Sequence, residues 1–281
     1  MTIPMLMPNA AAAAVSMGLG ARAYARTDVS ACASSTEAIA NAYDHLQKGY
    51  ADVVIAGGTE AVVHPLPLAA FAAMQALSKR NDDPATASRP YDITRDGFVL
   101  GEGAGSIVLE TEEHALARGA RIYAELAGGG VTSDSYHITA PDPVGSGAAR
   151  AVHAALAQAG ATPDDVSHIN AHATSTPVGD IAEYNALLAV FGARIAHIPV
   201  SATKASTGHL LGGTGALEAI FTILALHERT APPTINLTEQ DPAIGLDVVT
   251  SPRALGDGPL LAISNSFGFG GHNAVVAFRS Y

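Results

Sequence analysis

The stretch Ser30-Ala31-Cys32-Ala33-Ser34-Ser35 lies between a strand-like run, Arg26 to Val29, and a helical run that begins at Glu37. It holds the only cysteine of the chain. A turn of small residues between a strand and a helix places Cys32 at the helix N-terminus, where free N–H groups and the positive end of the helix dipole favour thiolate over thiol. The stretch therefore predicts a cysteine nucleophile.

Composition bounds the class of protein. The chain has 281 residues, is 48% hydrophobic and 15% charged, and so can form one large or two modest globular domains. A formal net charge of −11 argues against a nucleic-acid partner, and no apolar run approaches the roughly 20 residues of a membrane span. One cysteine excludes a disulfide framework and fits a reducing compartment. We therefore expect a cytoplasmic protein without a membrane span.

Three later segments also place polar or glycine-rich residues at the end of a short apolar run. They are Asn170 to Thr176, Lys204 to His209 and Asn265 to Gly271. A lone cysteine is more often a small buried hydrophobe than a nucleophile, so these segments decide how Cys32 is interpreted. Open α/β sheets gather functional groups at the carboxyl ends of their strands. The pattern predicts that Cys32, His172 and His209 lie at such edges.

Further motifs accompany these segments, among them Ala56-Gly57-Gly58-Thr59-Glu60 and the glycine-rich run Arg95 to Gly105. In this order the set resembles β-ketoacyl-[acyl carrier protein] synthases of the elongating Cys-His-His type, within the thiolase-like superfamily, from about Ile3 to Phe278. The resemblance implies an α/β, thiolase-like layered αβαβα sandwich. Residues 1–122 would form a partial amino-terminal half with the nucleophile, and residues 123–281 a carboxyl-terminal half with the histidine motifs and a gate loop.

The implied reaction is a decarboxylative Claisen condensation of an acyl thioester with a malonyl unit, giving a 3-oxoacyl thioester in fatty acid or related polyketide elongation. Such an acyltransferase must hold an acyl group covalently and stabilise an enolate and an oxyanion. Cys32 is the nucleophile, while His172 and His209 are suited to donate hydrogen bonds to the malonyl carbonyl. Neither a cofactor nor a metal is expected.

The resemblance also assigns supporting roles. Lys204 and Glu218 match positions that tune the histidines and hold the site electrostatically. The N–H groups of Cys32 and Phe269 would form an oxyanion hole, with Phe269 as a gate over the acyl pocket. The remaining matches are the pliable glycines of the gate loop, Gly268 and Gly270, and the pantetheine-contact residues, Thr174 and Thr176.

The expected partner is an acyl carrier protein that bears phosphopantetheine-linked acyl and malonyl groups, and a homodimer is expected. Two residues depart from the family pattern, Ala173 where Gly is common and His272 where Thr is common, and both concern the shape of the pocket. Family members carry a long segment before the position of Met1. We therefore expect an incomplete amino-terminal half and a chain that is not independently active.

Other classes fit the sequence less well. A degradative thiolase needs a second cysteine near its carboxyl end, and a chain-length factor lacks the nucleophile. A metal hydrolase using His172, His209 and His272 lacks the spacing of known metal motifs. A truncated, non-catalytic synthase or an interaction subunit that needs a partner polypeptide stays an alternative. Acyl chain length stays open, as does the choice between fatty acid, mycolic-type and polyketide pathways.

Overall fold

The computed structural model describes residues 2–281. Its strands are β1 (Val53–Glu60), β2 (Gly103–Glu110), β3 (Ala124–Ser133), β4 (Val166–Asn170), β5 (Pro199–Ser201), β6 (Thr230–Ala231), β7 (Asp247–Val248), β8 (Arg253–Ala254), β9 (Leu261–Gly268) and β10 (His272–Ser280). Its α-helices are α1 (Thr2–Leu6), α2 (Ala10–Leu19), α3 (Ser34–Gln47), α4 (Pro65–Ala73), α5 (Glu112–Ala117), α6 (Ser146–Gln158), α7 (Pro177–Phe191), α8 (Lys204–Thr207) and α9 (Thr214–His227).

The larger sheet has the strand order β3-β10-β9-β4-β5-β7. Strands β9, β4, β5 and β7 run parallel to one another, and β10 is antiparallel to both of its neighbours. The smaller sheet pairs β1 with β2 antiparallel from Val53↔Glu110 to Glu60↔Gly103. The carboxyl ends of β4, β5 and β9 therefore share one edge of the larger sheet, as expected for parallel strands.

Helices α3 and α9 form a layer between the two sheets and contact both of them. The approach is close: a Cβ placed on Gly105 of β2 would lie 3.1 Å from side-chain atoms of both Leu217 and Ile220 on α9. One buried cluster joins this layer to the larger sheet through Ile39, Ala219 and Val276 among others. The other face of the larger sheet is covered by α6 and α7 through a second cluster.

Strands β9 and β10 pair as an antiparallel hairpin, and β3 continues to Ser133 along β10. The structure corrects one expectation. Arg26 to Val29 is not a strand, since it pairs with no strand among the described residues.

The smaller sheet has two strands where the larger has six. Its outer face leaves Val53, Ile55 and Val108 exposed. The apolar helix α2 has no buried residue. Between residues 2 and 281, no helix is both long and apolar enough to cross a membrane.

Candidate active site

Cys32 lies in a 3-10 turn, Ala31–Ala33, that leads directly into α3. Ala31 has a left-handed backbone, with φ 51°, which turns the chain sharply before Cys32. The Ser34 hydroxyl donates to the Ala31 carbonyl oxygen at 2.7 Å and accepts from the Ser30 N–H at 2.9 Å. These contacts fix the cysteine at the N-terminal end of α3, where the sequence placed it.

Hydroxyl groups of the next two residues tie this turn to neighbouring elements. The Ser35 hydroxyl donates to the Gly212 carbonyl oxygen at 2.6 Å and accepts from the Ala216 N–H at 3.0 Å. Thr36 Oγ1 and Ser266 Oγ share a hydrogen bond of 2.7 Å. The start of α3 is therefore fixed against both the start of α9 and strand β9.

The loop Gly268–Gly271, between β9 and β10, lies directly against the cysteine turn. A Cβ on Gly268 would lie 2.7 Å from the Ser30 carbonyl oxygen and 3.0 Å from the Cys32 nitrogen, so glycine is required there by close approach. The N–H groups of Phe269 and of Cys32 itself both point toward the thiol. Two amides converging on one point can stabilise an oxyanion.

His172 begins a turn that joins β4 to α7. The buried carboxylate of Glu183 accepts the His172 N–H at 2.9 Å and the Ala173 N–H at 2.7 Å, and its Oε1 accepts from the Asn265 side chain at 3.1 Å. Ala173 has φ 26°, an unfavourable conformation for a residue with a Cβ. A glycine at this position would adopt the same backbone conformation without this strain.

His209 lies between α8 and the turn that starts α9. Its N–H donates to the Val99 carbonyl oxygen at 2.7 Å, and its carbonyl oxygen accepts from the Gly101 N–H at 3.0 Å. Its Nδ1 is hydrogen-bonded to Thr214 Oγ1 at 3.1 Å. The glycine-rich run Arg95 to Gly105 therefore holds His209 in place through backbone hydrogen bonds of Val99 and Gly101. Its role is structural.

The two imidazole rings stand edge to face with their centroids 5.4 Å apart. Burial lowers the pKa of both histidines well below the usual range, and the positive charge of Lys204 lowers it further. Both rings are therefore neutral near pH 7, so each carries one N–H donor and one acceptor nitrogen. The N–H of a neutral imidazole can donate a hydrogen bond to an oxygen atom that becomes negative during the reaction.

Lys204 and Glu218 form a buried ion pair, with Lys204 Nζ 2.6 Å from Glu218 Oε1 and both side chains at most 2% exposed. Thr203 Oγ1 also donates to Glu218 Oε1 at 3.3 Å. Burial raises the pKa of Glu218 although Lys204 opposes the shift. The pair places a positive charge beside both histidines and the cysteine.

Removing one member of this pair should destabilise the fold strongly. We expect Lys204→Ala to lower the free energy of unfolding by about 3–5 kcal/mol, because it leaves a buried carboxylate without a counter-ion. The double variant Lys204→Met with Glu218→Gln should cost less, since no charge is left unpaired.

Urea unfolding measures the free energy of unfolding of each variant. As a surface control, Arg279→Ala, which removes a pair with Glu125 at the surface, should change it by less than about 1 kcal/mol. Equal losses for Lys204→Ala and Arg279→Ala would contradict the interpretation.

The protonation state of Cys32 differs from the sequence-based expectation. Burial raises the pKa of its thiol to about 11, and Lys204 and the two amide N–H groups lower it by less. Burial removes the water that would stabilise the thiolate, and the lysine charge and the two amides compensate for only part of this loss. The thiol is therefore the resting form near pH 7. The cysteine must therefore lose its proton during the reaction.

This protonation state predicts the pH dependence of thiol chemistry. Below the pKa of a thiol its thiolate fraction rises tenfold per pH unit. Alkylation of Cys32 by iodoacetamide should therefore accelerate about tenfold per unit between about pH 7 and 9 without levelling, whereas free cysteine levels near its pKa of about 8.5. Mass spectrometry reads the reaction at the only cysteine of the chain. A plateau below pH 8 would show a stabilised thiolate instead.

The other predicted site residues occupy the same region. Thr174 and Thr176 lie in the His172 turn with their hydroxyl oxygens 3.0 Å apart. Gly270 has φ 81°, a conformation that favours glycine. The ring of His272 lies against it, since a Cβ on Gly270 would be 3.0 Å from His272 Cδ2. The structure thus brings the sequence motifs together around Cys32.

Sequence reasoning missed Glu183, which holds the His172 turn. A signal was present: Glu183 shares the spacing of Ala186, Leu187 and Val190, which form the buried face of α7. A carboxylate on an apolar helix face indicates a buried hydrogen-bonded group. Among residues 2–281, no group of three or more His, Cys, Asp or Glu side chains is arranged to hold a metal ion.

The sequence and the fold match known proteins. The model of the beta-ketoacyl synthase N-terminal domain matches residues 1–115, and that of the C-terminal domain matches residues 123–238. The chain is 51% identical over 280 residues to 3-oxoacyl-[acyl-carrier-protein] synthase 2 of Synechocystis sp., and 50% identical over 280 residues to the protein of that name from Staphylococcus aureus. In both cases the match covers 99% of this chain and 67% of the relative.

Solved structures agree. A type II polyketide ketosynthase, in complex with its acyl-carrier protein and bound to a hexaketide, superposes with a TM-score of 0.94 at 36% identity, over 97% of this chain and 67% of that one. A beta-ketoacyl synthase from Burkholderia phymatum STM815 gives 0.92 at 41% identity, over 98% and 66%. This chain belongs to the beta-ketoacyl synthase family of condensing enzymes, and the predicted thiolase-like layered fold is confirmed.

Proposed function

We propose that this chain carries the active site of a decarboxylative condensation between an acyl thioester and a malonyl thioester, in fatty acid chain elongation. The observation that carries the proposal is the buried cluster of one neutral thiol, two neutral imidazoles 5.4 Å apart and one lysine cation. Each demand of the reaction has a group in this cluster.

In the first half-reaction Cys32 Sγ attacks the carbonyl carbon of the acyl thioester. The carbonyl oxygen becomes negative and accepts hydrogen bonds from the N–H groups of Cys32 and Phe269. The Cys32 thiol loses its proton as the bond forms, and this proton is taken up by the departing carrier thiolate, so the step is proton-neutral. The acyl group then stays on Cys32 as a thioester, with Phe269 acting as the gate.

A single methyl group tests this geometry. We expect Gly268→Ala to slow acylation of Cys32 by about tenfold or more, because its Cβ would lie 2.7 Å from the Ser30 carbonyl oxygen and displace the loop. A misplacement of 1 Å can cost roughly 10²-fold. Arg279→Ala, which removes a surface ion pair with Glu125, is the control. Rapid-quench mass spectrometry gives the rates, and an unchanged rate in Gly268→Ala would contradict the close approach.

In the second half-reaction the malonyl carboxylate leaves as carbon dioxide, and its electron pair forms an enolate. His172 and His209 donate hydrogen bonds to the enolate oxygen, while the Lys204–Glu218 pair keeps a positive charge close to both rings. The enolate carbon attacks the Cys32 thioester and forms the new carbon–carbon bond. Collapse of the adduct releases the 3-oxoacyl thioester and the Cys32 thiolate, which takes up one proton from solvent water.

The proposed partner is an acyl carrier protein that delivers both groups on phosphopantetheine. One structural neighbour is a ketosynthase in complex with an acyl-carrier protein, which supports this choice. Thr174 and Thr176 are proposed contacts of the pantetheine arm. We further propose a cytoplasmic homodimer, with the exposed apolar helix α2 at its interface. The proposed division of the chain is into residues 1–122 and 123–281.

The experiment combines acyl carrier thioester, malonyl carrier thioester and the purified protein. The chain alone is expected to be inactive, so it is assayed with and without an added partner polypeptide. The active preparation should give a 3-oxoacyl product on the carrier and an acyl group on Cys32, both detected by intact mass. Size-exclusion chromatography with light scattering tests the dimer. If neither acyl-Cys32 nor product forms in either assay, the proposal fails and the chain is instead a non-catalytic synthase or interaction subunit.

A further inference from the structure

Arg95 is a buried charge that the mechanism leaves unused. Its side chain is 3% exposed and its guanidinium reaches three separate segments of the chain. Its partners are the Asp92 carbonyl oxygen at 2.9 Å, Asp241 Oδ2 at 2.8 Å, the Thr176 carbonyl oxygen at 3.4 Å, the Pro177 carbonyl oxygen at 3.2 Å and Asp180 Oδ2 at 3.4 Å. A planar fork with five donors suits such a set of acceptors.

Three of these partners belong to the end of the His172 turn and the first turn of α7. Neighbours of Arg95 hold the same turn: the Gly97 N–H donates to the Ser175 carbonyl oxygen at 3.0 Å, and the Arg89 N–H donates to Ser175 Oγ at 3.0 Å. The segment Arg89 to Gly97 therefore holds the end of the turn, while Glu183 binds the N–H groups of His172 and Ala173 at its start.

The turn needs this support because its backbone is strained. Ala173 and Ser175 have φ values of 26° and 67°, and both carry a Cβ. Residues in such conformations persist only where the surroundings determine them from several directions. His172 directly precedes Ala173, and Thr174 lies between the two strained residues. A relaxed turn would move both side chains.

The third segment is itself fixed in place. The Asp92 carboxylate accepts the N–H groups of Thr238 and Glu239 at 2.8 and 3.1 Å, and the Asp241 N–H donates to the Tyr91 carbonyl oxygen at 2.9 Å. Asp241 is thereby held where Arg95 can reach it. The arrangement links the His172 turn to a loop that lies far from it in sequence.

We infer that Arg95 is a positioning residue for the malonyl half-reaction, acting through the His172 turn and its ion pair with Asp241. The expected effect on reaction rates rests on the proposed function. The expected effect on the His172 turn rests only on the contacts of Arg95. The acyl-transfer half-reaction depends on the Cys32 turn and the Gly268–Gly271 loop, which Arg95 does not contact. Its loss should therefore affect one half-reaction selectively.

The kinetic test compares Arg95→Lys, Asp241→Asn and the surface control Arg279→Ala. We expect Arg95→Lys and Asp241→Asn to slow malonyl decarboxylation by about tenfold or more, chiefly in kcat, while acylation of Cys32 changes less than about threefold. Arg95→Lys retains charge but not the planar fork, and Asp241→Asn leaves Arg95 intact. Arg279→Ala should change neither rate. Equal slowing of both half-reactions would overturn the inference, because it indicates a general structural effect.

Hydrogen exchange provides a test that does not depend on activity. The amides of His172, Ala173, Gly179 and Asp180 are hydrogen-bonded within or beside the turn. In both variants we expect a peptide covering residues 172–180 to exchange about tenfold faster and a peptide covering residues 30–40 to be unchanged. Unchanged exchange at 172–180 overturns the inference even if activity falls. If the unmodified protein forms no product with or without the partner polypeptide, the proposed function fails while the exchange result still decides the role of Arg95.

Discussion

Cys32→Ser is expected to abolish acylation and condensation, with rates lowered on the order of 10³-fold or more. A serine hydroxyl is a far weaker nucleophile than a thiol, and its neighbours here are arranged around sulfur. The N–H groups of Phe269 and Cys32 point to the Sγ position, and no other cysteine exists in the chain. The side chain is buried and the substitution nearly isosteric, so the fold should be retained.

Intact-mass measurement after incubation with an acyl carrier thioester provides the readout. In the active preparation the unmodified protein should gain one acyl group, mapped to Cys32 by peptide analysis, and Cys32→Ser should gain none on the same timescale. Circular dichroism and the urea midpoint control for folding. Stoichiometric acylation of the serine variant, or an acyl group found at another residue, would show that the nucleophile has been assigned wrongly.

Replacing either histidine is expected to damage the malonyl half-reaction most. His172→Ala and His209→Ala should each lower decarboxylation and condensation by roughly 10²–10³-fold, the range seen when one transition-state hydrogen-bond donor is removed. The enolate charge develops as carbon dioxide leaves, a step that acyl transfer does not include, so a donor to that oxygen contributes little to acyl transfer. Acylation of Cys32 should therefore persist in both variants with a smaller loss.

Release of labelled carbon dioxide from malonyl carrier thioester measures the effect directly. His153→Ala is the control, because His153 is exposed on α6 and should leave every rate unchanged. The variants His172→Gln and His209→Gln retain an N–H donor and should recover part of the loss. If both alanine variants condense at nearly the rate of the unmodified protein, the enolate is not stabilised by these rings.

The positions of the main site groups could be predicted from the sequence, because they follow from the direction in which the strands before them run. The turns with His172 and Phe269 end β4 and β9, which are neighbouring parallel strands, so their side chains meet at one edge. Cys32 joins them because α3 starts at the same edge, with Thr36 hydrogen-bonded to Ser266. Short motifs at strand ends carry this information locally.

Buried charges could not be predicted in the same way. Arg95 and Asp180 each read as an ordinary surface charge in sequence, because Arg95 pairs with Asp180 and with Asp241 across long stretches of the chain. The resting state of Cys32 was predicted wrongly for a related reason. A helix N-terminus is visible in sequence, but the loss of hydration that raises the pKa of the thiol depends on what packs over it.

The turns with Cys32, His172 and His209 share one further property. Each contains a residue with a side chain in a left-handed backbone conformation, namely Ala31, Ala173 or Leu211. Such conformations cost of order 1–3 kcal/mol each, a considerable part of a typical folding free energy of about 5–15 kcal/mol. The site is thus rigid at the expense of thermal robustness. Selection for heat tolerance would find its largest local gains in these three turns, where changes also alter catalysis, so durable improvement must come from elsewhere in the chain.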